Sequence, residues 1–187
     1  MELVASKGPW IVTRSEGEDT EIRVHSYEGD LLAVLDTKQI RNFQLSVSDD
    51  GCLFGCAAWS PGVKIYNVKE KGGNFQKVEK ALDVPTSSGS IAFCISPDQR
   101  RAAVLNKNNN LSTWRLDVRH QAGEDTKMVA EKDVHLSDQG ATTLHYSRDG
   151  SVIIAACGCS LYLFNAEDLQ LIRKGLRPAI LRLPLGK

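Results

Sequence analysis

The sequence lacks a long apolar run. No stretch of the 187-residue chain approaches the roughly 18 to 20 apolar residues that span a bilayer. Met1 to Ser6 has neither a basic start nor a long apolar segment, so it does not resemble a secretory signal. Lys+Arg and Asp+Glu both number 23, and this zero net charge creates no long-range field for nucleic acid or an anionic membrane. We therefore expect a soluble, cytoplasmic protein.

Metal-ligating residues are few and scattered. The five cysteines are odd in number, which argues against a disulfide framework. Cys52 with Cys56 and Cys157 with Cys159 form a zinc site only if they converge with further ligands. Four of the five lie in apolar, strand-like runs, so we favour structural filling. No histidine lies two or four residues from another histidine or a cysteine, and we predict no metal, cofactor or catalytic residue; the histidines are His25, His120, His135 and His145.

What the sequence does contain is a repeat. A strand-like segment, a Ser-x-Asp turn, a second strand and an aromatic-bearing third strand occur three times. The turn aspartates recur at intervals of about 50 residues, and an aromatic follows each by about 15. This regularity indicates one structural unit copied several times. The aspartates are Asp50, Asp98 and Asp149, and the aromatics are Tyr66, Trp114 and Phe164.

Each unit has the pattern of four strands. Residues 43–48 alternate apolar and polar, which predicts a half-buried strand, and residues 52–59 are nearly all apolar, as in a strand covered on both faces. Residues 63–68 alternate again, and residues 75–82 are more polar. Four antiparallel strands of rising polarity describe one blade of a β-propeller. We predict an all-β, partial propeller over residues 1–172, with blades at about 10–36, 43–82, 91–135 and 142–172, and a basic irregular tail at 173–187.

The first unit is predicted to be incomplete. Its second, third and fourth strands match residues 10–13, 20–26 and 31–36, and too few residues precede Trp10 for an inner strand. The count is three complete blades plus part of a fourth, whereas closed rings have about four to eight blades. We hypothesise a fragment, a truncated gene product or one half of an assembly. An open arc exposes blade faces, one of them lined by Leu161 and Leu163.

The paired or turn-flanking aspartates are better explained by turn structure than by catalysis. Asp49, Asp50 and Asp149 lie near glycines in turns, where aspartate bonds the local backbone. A rival hypothesis is a propeller enzyme of the lactone-hydrolase type, with a metal or carboxylates in its central channel. The inner strands instead alternate apolar residues with small or polar ones and offer no cluster of Glu, Asp or His pointing to a shared axis, so we expect no enzyme; the apolar residues are Leu45, Val47, Phe93, Ile95, Leu144 and Tyr146.

The repeat resembles a known family. An inner strand ending in Ser-x-Asp and a third strand ending in an aromatic resemble the WD-repeat (WD40) pattern. Residues 20–80 are more specific, because 37–42, 60–68 and 72–78 resemble the transducin-beta-like 2 family of WD-repeat proteins. The resemblance implies a non-enzymatic protein-interaction scaffold on the cytoplasmic face of the endoplasmic reticulum. It also implies a link to stress signalling and translational control, with an endoplasmic reticulum stress kinase and translation factors as partners.

Two features of the chain bear on partners. Loops predicted at residues 119–126 and 85–90 are the expected contact sites, because blades supply a rigid frame while loops vary. The basic tail at 173–187 suggests RNA binding, and a solvated terminus is the alternative. Members of the resembled family carry an amino-terminal membrane anchor that this sequence does not show. A non-functional gene fragment also remains an alternative.

Overall fold

The structure is a computed structural model that describes residues 3–14, 20–118, 123–134, 136 and 142–176. This part of the chain consists of β-strands, turns and irregular connections. It contains no helix with the length and apolarity needed to cross a membrane. The all-β prediction is confirmed.

The strands are arranged as four antiparallel blades that follow one another along the chain. Blade 1 contains β1 (Leu3–Lys7), β2 (Trp10–Arg14), β3 (Glu21–His25) and β4 (Leu31–Asp36). Blade 2 contains β5 (Asn42–Val47), β6 (Leu53–Ala58), β7 (Pro61–Lys71) and the first half of β8 (Asn74–Ile95). Blade 3 contains the rest of β8, then β9 (Arg101–Asn106), β10 (Asn110–Arg115) and β11 (Lys127–Asp133). Blade 4 contains β12 (Thr142–Tyr146), β13 (Val152–Cys157), β14 (Ser160–Asn165) and β15 (Leu171–Leu176).

Blade 1 has an inner strand, so the prediction that this strand is missing is wrong. β1 pairs antiparallel with β2 over its whole length, from Leu3 opposite Arg14 to Lys7 opposite Trp10. The connection is only Gly8-Pro9, which is why nine residues suffice. Gly8 adopts φ +68°, and a Cβ there would lie 2.3 Å from the carbonyl oxygen of Asp50, so the close approach to blade 2 requires glycine. The observation behind the fragment hypothesis therefore does not hold.

Blades 2 and 3 share one long strand. β8 runs 22 residues without interruption, pairing with β7 over residues 74–84 and with β9 over residues 90–95. The prediction of a loop at 85–90 is therefore wrong. Gly89 lies opposite Pro61, and the pairing of β7 with β8 shifts register between Pro61 and Val63. This shift makes the segment a bulge, which accommodates Pro85. Thr86 holds the bulge, because its Oγ1 accepts a 2.7 Å hydrogen bond from Gly62 N and donates a 2.7 Å bond to Ser88 O.

The last strand extends into the predicted tail. β15 reaches Leu176 and pairs with β14, so residues 173–176 are strand and not irregular chain. The rest of the tail, residues 177–187, lies outside the described residues. So do residues 119–122 of the other predicted contact loop, whose described part, from Gly123, is connected to blade 2 by a 2.7 Å bond from Thr126 Oγ1 to Asp83 O.

Three cores lie between successive blades. On β9, Ala102 and Val104 pack toward blade 2, whereas Ala103 and Leu105 pack toward blade 4. Burial on both faces explains why the second strands are apolar runs without alternation. The repeated aromatics have one shared role, because each packs against the blade before it; they are Tyr66, Trp114 and Phe164.

The outer face of blade 4 is less covered. Along β14, Ser160, Tyr162 and Phe164 are buried, while Leu161 and Leu163 are half-buried. These two leucines therefore line the less covered face, as the sequence predicts.

The inner strands are joined by side-chain hydrogen bonds around the central channel. Gln44 on β5 of blade 2 bonds directly to blade 4. Its Nε2 donates to Leu144 O at 2.7 Å, and its Oε1 accepts from Leu144 N at 2.8 Å. Ser46 Oγ accepts from Ile95 N at 3.2 Å. These bonds link β5 with β12 of blade 4 and with β8.

Candidate interaction surface

The antiparallel order of the strands gives the blades two distinct ends. The turns from each inner strand to the second strand lie at one end, which we call the turn end. The turns from the second to the third strand, and the connections between blades, lie at the opposite end, which we call the connection end. The two ends differ in how they use their polar groups.

At the turn end, three nearly identical turns satisfy their own polar groups. Ser48 Oγ donates to Asp50 Oδ1 at 2.6 Å and accepts from Leu53 N at 2.8 Å, while Asp50 Oδ1 also accepts from Cys52 N at 2.8 Å. The serine-to-aspartate bond is again 2.6 Å in the other two turns, formed by Ser96 with Asp98 and by Ser147 with Asp149.

The turn aspartates are stabilised as carboxylates. Hydrogen bonds from Ser147 and Ser151 lower the pKa of Asp149 to about 2. Burial opposes ionisation of Asp50 and Asp98, but serine and backbone hydrogen bonds outweigh it and lower the pKa of both, and a side-chain hydrogen bond from Gln99 of blade 3 also lowers the pKa of Asp50. The interpretation as turn chemistry agrees with this geometry, since each carboxylate accepts hydrogen bonds from the serine and the backbone of its own turn.

The central channel contains a cavity of about 220 Å³ near the turn end. Of the six apolar inner-strand residues named from the sequence, four line this cavity, and the other two, Phe93 and Leu144, are fully buried in the cores between blades. The polar groups Asp49 and His145 share the cavity wall, which the sequence reasoning missed because they lie on different blades. Burial raises the pKa of the Tyr146 phenol, whose oxygen is buried without a hydrogen-bond partner among the described residues. The residues that line the cavity are Gln44, Leu45, Ser46, Val47, Asp49, Cys94, Ile95, Pro97, His145 and Tyr146.

Within the described ranges, no group of three or more His, Cys, Asp or Glu side chains is arranged to hold a metal ion. Cys157 is buried and Cys159 is exposed, so this close pair does not face one site. Burial raises the pKa of Cys56 to about 12 and that of Cys52 to about 11, which disfavours the thiolates that bind zinc. His25 lies 3.3 Å from Thr13 Oγ1, and His120 and His135 are outside the described residues.

At the connection end, backbone hydrogen bonds hold four segments together. Trp59 N donates to Ile40 O and Arg41 O at 3.1 and 3.2 Å, and Lys107 N donates to Gly89 O at 2.9 Å. Gly89 lies so close to Trp59 that a Cβ would be 1.9 Å from the Trp59 carbonyl oxygen. The side chains here therefore project from a rigid frame.

Trp59 is the most distinctive residue of this end. It is 41% exposed, whereas the other two tryptophans are buried. The Arg41 guanidinium lies 5.5 Å and the Lys107 ammonium 4.8 Å from its ring centroid, both within cation–π range. The Phe43 ring packs at 6.1 Å on the same tryptophan. Sequence reasoning missed this cluster because Trp59 ends an apolar run, which indicates a buried strand; the Ser-Pro-Gly that follows was the available sign of a surface position.

Comparison with known proteins gives relatives in sequence and in fold. Transducin beta-like protein 2 of Mus musculus is 28% identical over 166 residues, and that of Homo sapiens is 28% identical over 167 residues. Each match covers 88% of this chain. No protein-family model matches the chain.

Solved structures establish the architecture. Hsv2 of Kluyveromyces marxianus superposes with a TM-score of 0.70 over 94% of this chain and 58% of its own, at 6% identity. The fold is a WD40-type β-propeller. A protein of unknown function from Desulfotomaculum acetoxidans superposes with a TM-score of 0.69 over 91% of this chain and 54% of its own, at 15% identity.

The match to transducin beta-like protein 2 confirms the resemblance seen in the sequence. The chain spans 37% of the length of these curated relatives, and its four blades form part of a WD40-type propeller. In this fold, the connection end presents dissimilar segments side by side, while the turn end repeats one motif.

Proposed function

We propose that this chain is a non-enzymatic, WD-repeat protein-interaction scaffold that binds partner proteins through its connection end. The contrast between the two ends carries this proposal. The turn end repeats one motif whose serine and aspartate groups are bonded internally, whereas the connection end holds an exposed tryptophan and two exposed cations on a rigid frame. Exposed aromatic and arginine residues are enriched at protein interfaces.

The finer assignment rests on the similarity to transducin beta-like protein 2. We propose a location on the cytoplasmic face of the endoplasmic reticulum and a role in stress signalling and translational control. The proposed partners are an endoplasmic reticulum stress kinase and translation factors, with RNA as a separate candidate for the basic segment beyond β15.

The experiment is affinity capture from stressed and unstressed cells with quantitative mass spectrometry. The expected result is enrichment of the stress kinase or of translation factors with the wild-type chain. Nuclease treatment separates RNA-mediated recovery from direct contact. A deletion for the RNA question begins after Leu176, because a cut at residue 173 removes part of β15. Recovery of the same proteins by heat-unfolded bait would contradict the scaffold function.

A further inference from the structure

We infer that the Trp59 cluster, formed by Trp59, Arg41, Lys107 and Ile40, is a docking site for an acidic linear peptide that also carries an apolar side chain. The inference rests on the proposed scaffold function and specifies the chemistry of one partner segment. The predicted contact is the Trp59 cluster at the connection end, and the predicted partner segment is negatively charged.

The charges of the cluster are uncompensated. Arg41 and Lys107 have no ion pair within the described part of the chain, unlike Arg115, which pairs with Asp117 at 2.9 Å. Because both cations lie over one ring, they are within about 10 Å of each other, roughly the Debye length at 0.1 M salt. Two carboxylates of one peptide relieve this repulsion and add charge-assisted hydrogen bonds.

The cluster also has an apolar part. Ile40 is 50% exposed, its carbonyl oxygen accepts the Trp59 N–H, and the Phe43 ring packs on Trp59. Tryptophan is among the residues that contribute most of the binding energy at protein interfaces. The combination suits a peptide in which an aliphatic or aromatic side chain contacts Trp59 while flanking carboxylates meet the cations.

The cluster is preorganised by the frame beneath it. The backbone N–H of Trp59 donates to the carbonyl oxygens of Ile40 and Arg41, and the backbone N–H of Lys107 donates to that of Gly89. Fixed backbone positions reduce the conformational entropy that is lost on binding. A short peptide therefore gains useful affinity from few contacts.

A peptide fits better than a nucleic acid. Proteins that bind duplex DNA tightly neutralise roughly 6 to 10 phosphates, and single-strand binders add several aromatic platforms along a basic groove. Here two cations flank a single exposed tryptophan on a chain of zero net charge. We therefore expect an acidic peptide, and not a nucleic acid, to bind the Trp59 cluster.

The test is fluorescence anisotropy with a fluorescein-labelled peptide of sequence Glu-Asp-Leu-Glu-Glu-Phe-Asp-Glu. Its counterpart with lysine at every acidic position and a labelled oligo-dT serve as the other probes. We expect the acidic peptide to bind, to quench Trp59 emission, and to weaken at least tenfold in the Arg41→Glu/Lys107→Glu double variant. The matched control is Lys71→Glu/Arg148→Glu, which makes the same charge change at exposed positions of the turn end. Circular dichroism melts verify that both double variants are folded.

Three results would overturn the inference: no binding of the acidic peptide, equal weakening in both double variants, or preference for oligo-dT. The scaffold function fails separately, when capture from cells yields no protein that depends on the folded chain. Capture that succeeds while the peptide fails leaves the scaffold in place and removes only the acidic-peptide site.

Discussion

Replacing Gln44 with leucine removes two hydrogen bonds that cross the central channel while nearly conserving side-chain volume. The Gln44 amide is buried and bonds both the N–H and the C=O of Leu144, at 2.8 and 2.7 Å. In Gln44→Leu, both peptide groups of Leu144 lose this partner. The change therefore tests whether blades 2 and 4 are joined as the structure shows.

The expected loss of unfolding free energy is about 2 kcal/mol, from two hydrogen bonds of about 1 kcal/mol each. We take this low estimate because the adjoining cavity of about 220 Å³ admits water to the orphaned groups. For a chain of this size, the loss lowers Tm by about 4 to 8 °C. Thermal unfolding followed by circular dichroism measures the shift, and Gln76→Leu, at an exposed position of β8, is the matched control.

A second variant gives the same contact a pH signature. In Gln44→Glu, one carboxylate oxygen still accepts from Leu144 N, but the other faces Leu144 O, which raises the folded pKa above the unfolded value of about 4.3. Below about pH 4.3 the new carboxyl group is protonated in both the folded and the unfolded state, and the variant then has its highest stability relative to wild type. This stability is lost as the pH rises through the raised pKa of the folded state. Equal melting of Gln44→Leu and Gln76→Leu, or no pH trend in Gln44→Glu, would refute the reasoning.

Three further outcomes are expected. Gly89→Ala costs about 2 kcal/mol, because its Cβ meets the Trp59 carbonyl at 1.9 Å, whereas Gly175→Ala, with open space around it, melts like wild type; equal melts would disprove the close approach. Since serine and backbone hydrogen bonds lower the pKa of Asp149 to about 2, against about 3.9 unfolded, its stabilisation is present above pH 4 or so and is lost as pH falls toward 2, and Asp149→Asn melts should show a shallower acid dependence. Among the described cysteines, Cys159 reacts first with maleimide in native mass spectrometry and the three buried thiols react only after denaturation; early labelling of a buried thiol would contradict the packing.

Local chemistry explains which elements the sequence predicts. The alternating and continuous apolar runs locate most strands, because one buried face leaves an alternation in the residues and two buried faces leave a continuous apolar run. The Ser-x-Asp turns are predictable because the serine and backbone hydrogen bonds that shape them lie within a few residues of Asp50, Asp98 and Asp149.

The features that the sequence does not predict depend on contacts between residues far apart in the chain. β1 escapes prediction because it depends on a two-residue Gly-Pro connection and on packing of Gly8 against the Asp50 turn. The middle of β8 has loop-like residues at Pro85 to Ser90, and only its partners in β7 show that it is a bulged strand. Trp59 ends an apolar run that is typical of a buried strand, yet it is exposed, and the cations over its ring, Arg41 and Lys107, come from other segments.

Site-specific photo-crosslinking in cells tests most directly whether the connection end is the binding surface. A photoreactive phenylalanine analogue replaces Ser60 or Asn108 at the connection end, and Gln99 or Arg148 at the turn end, one position at a time. We expect discrete crosslinked proteins from Ser60 and Asn108, competed by untagged wild-type chain, and background labelling from Gln99 and Arg148. Equal crosslinking from both ends, or discrete products from the turn end alone, would contradict this expectation.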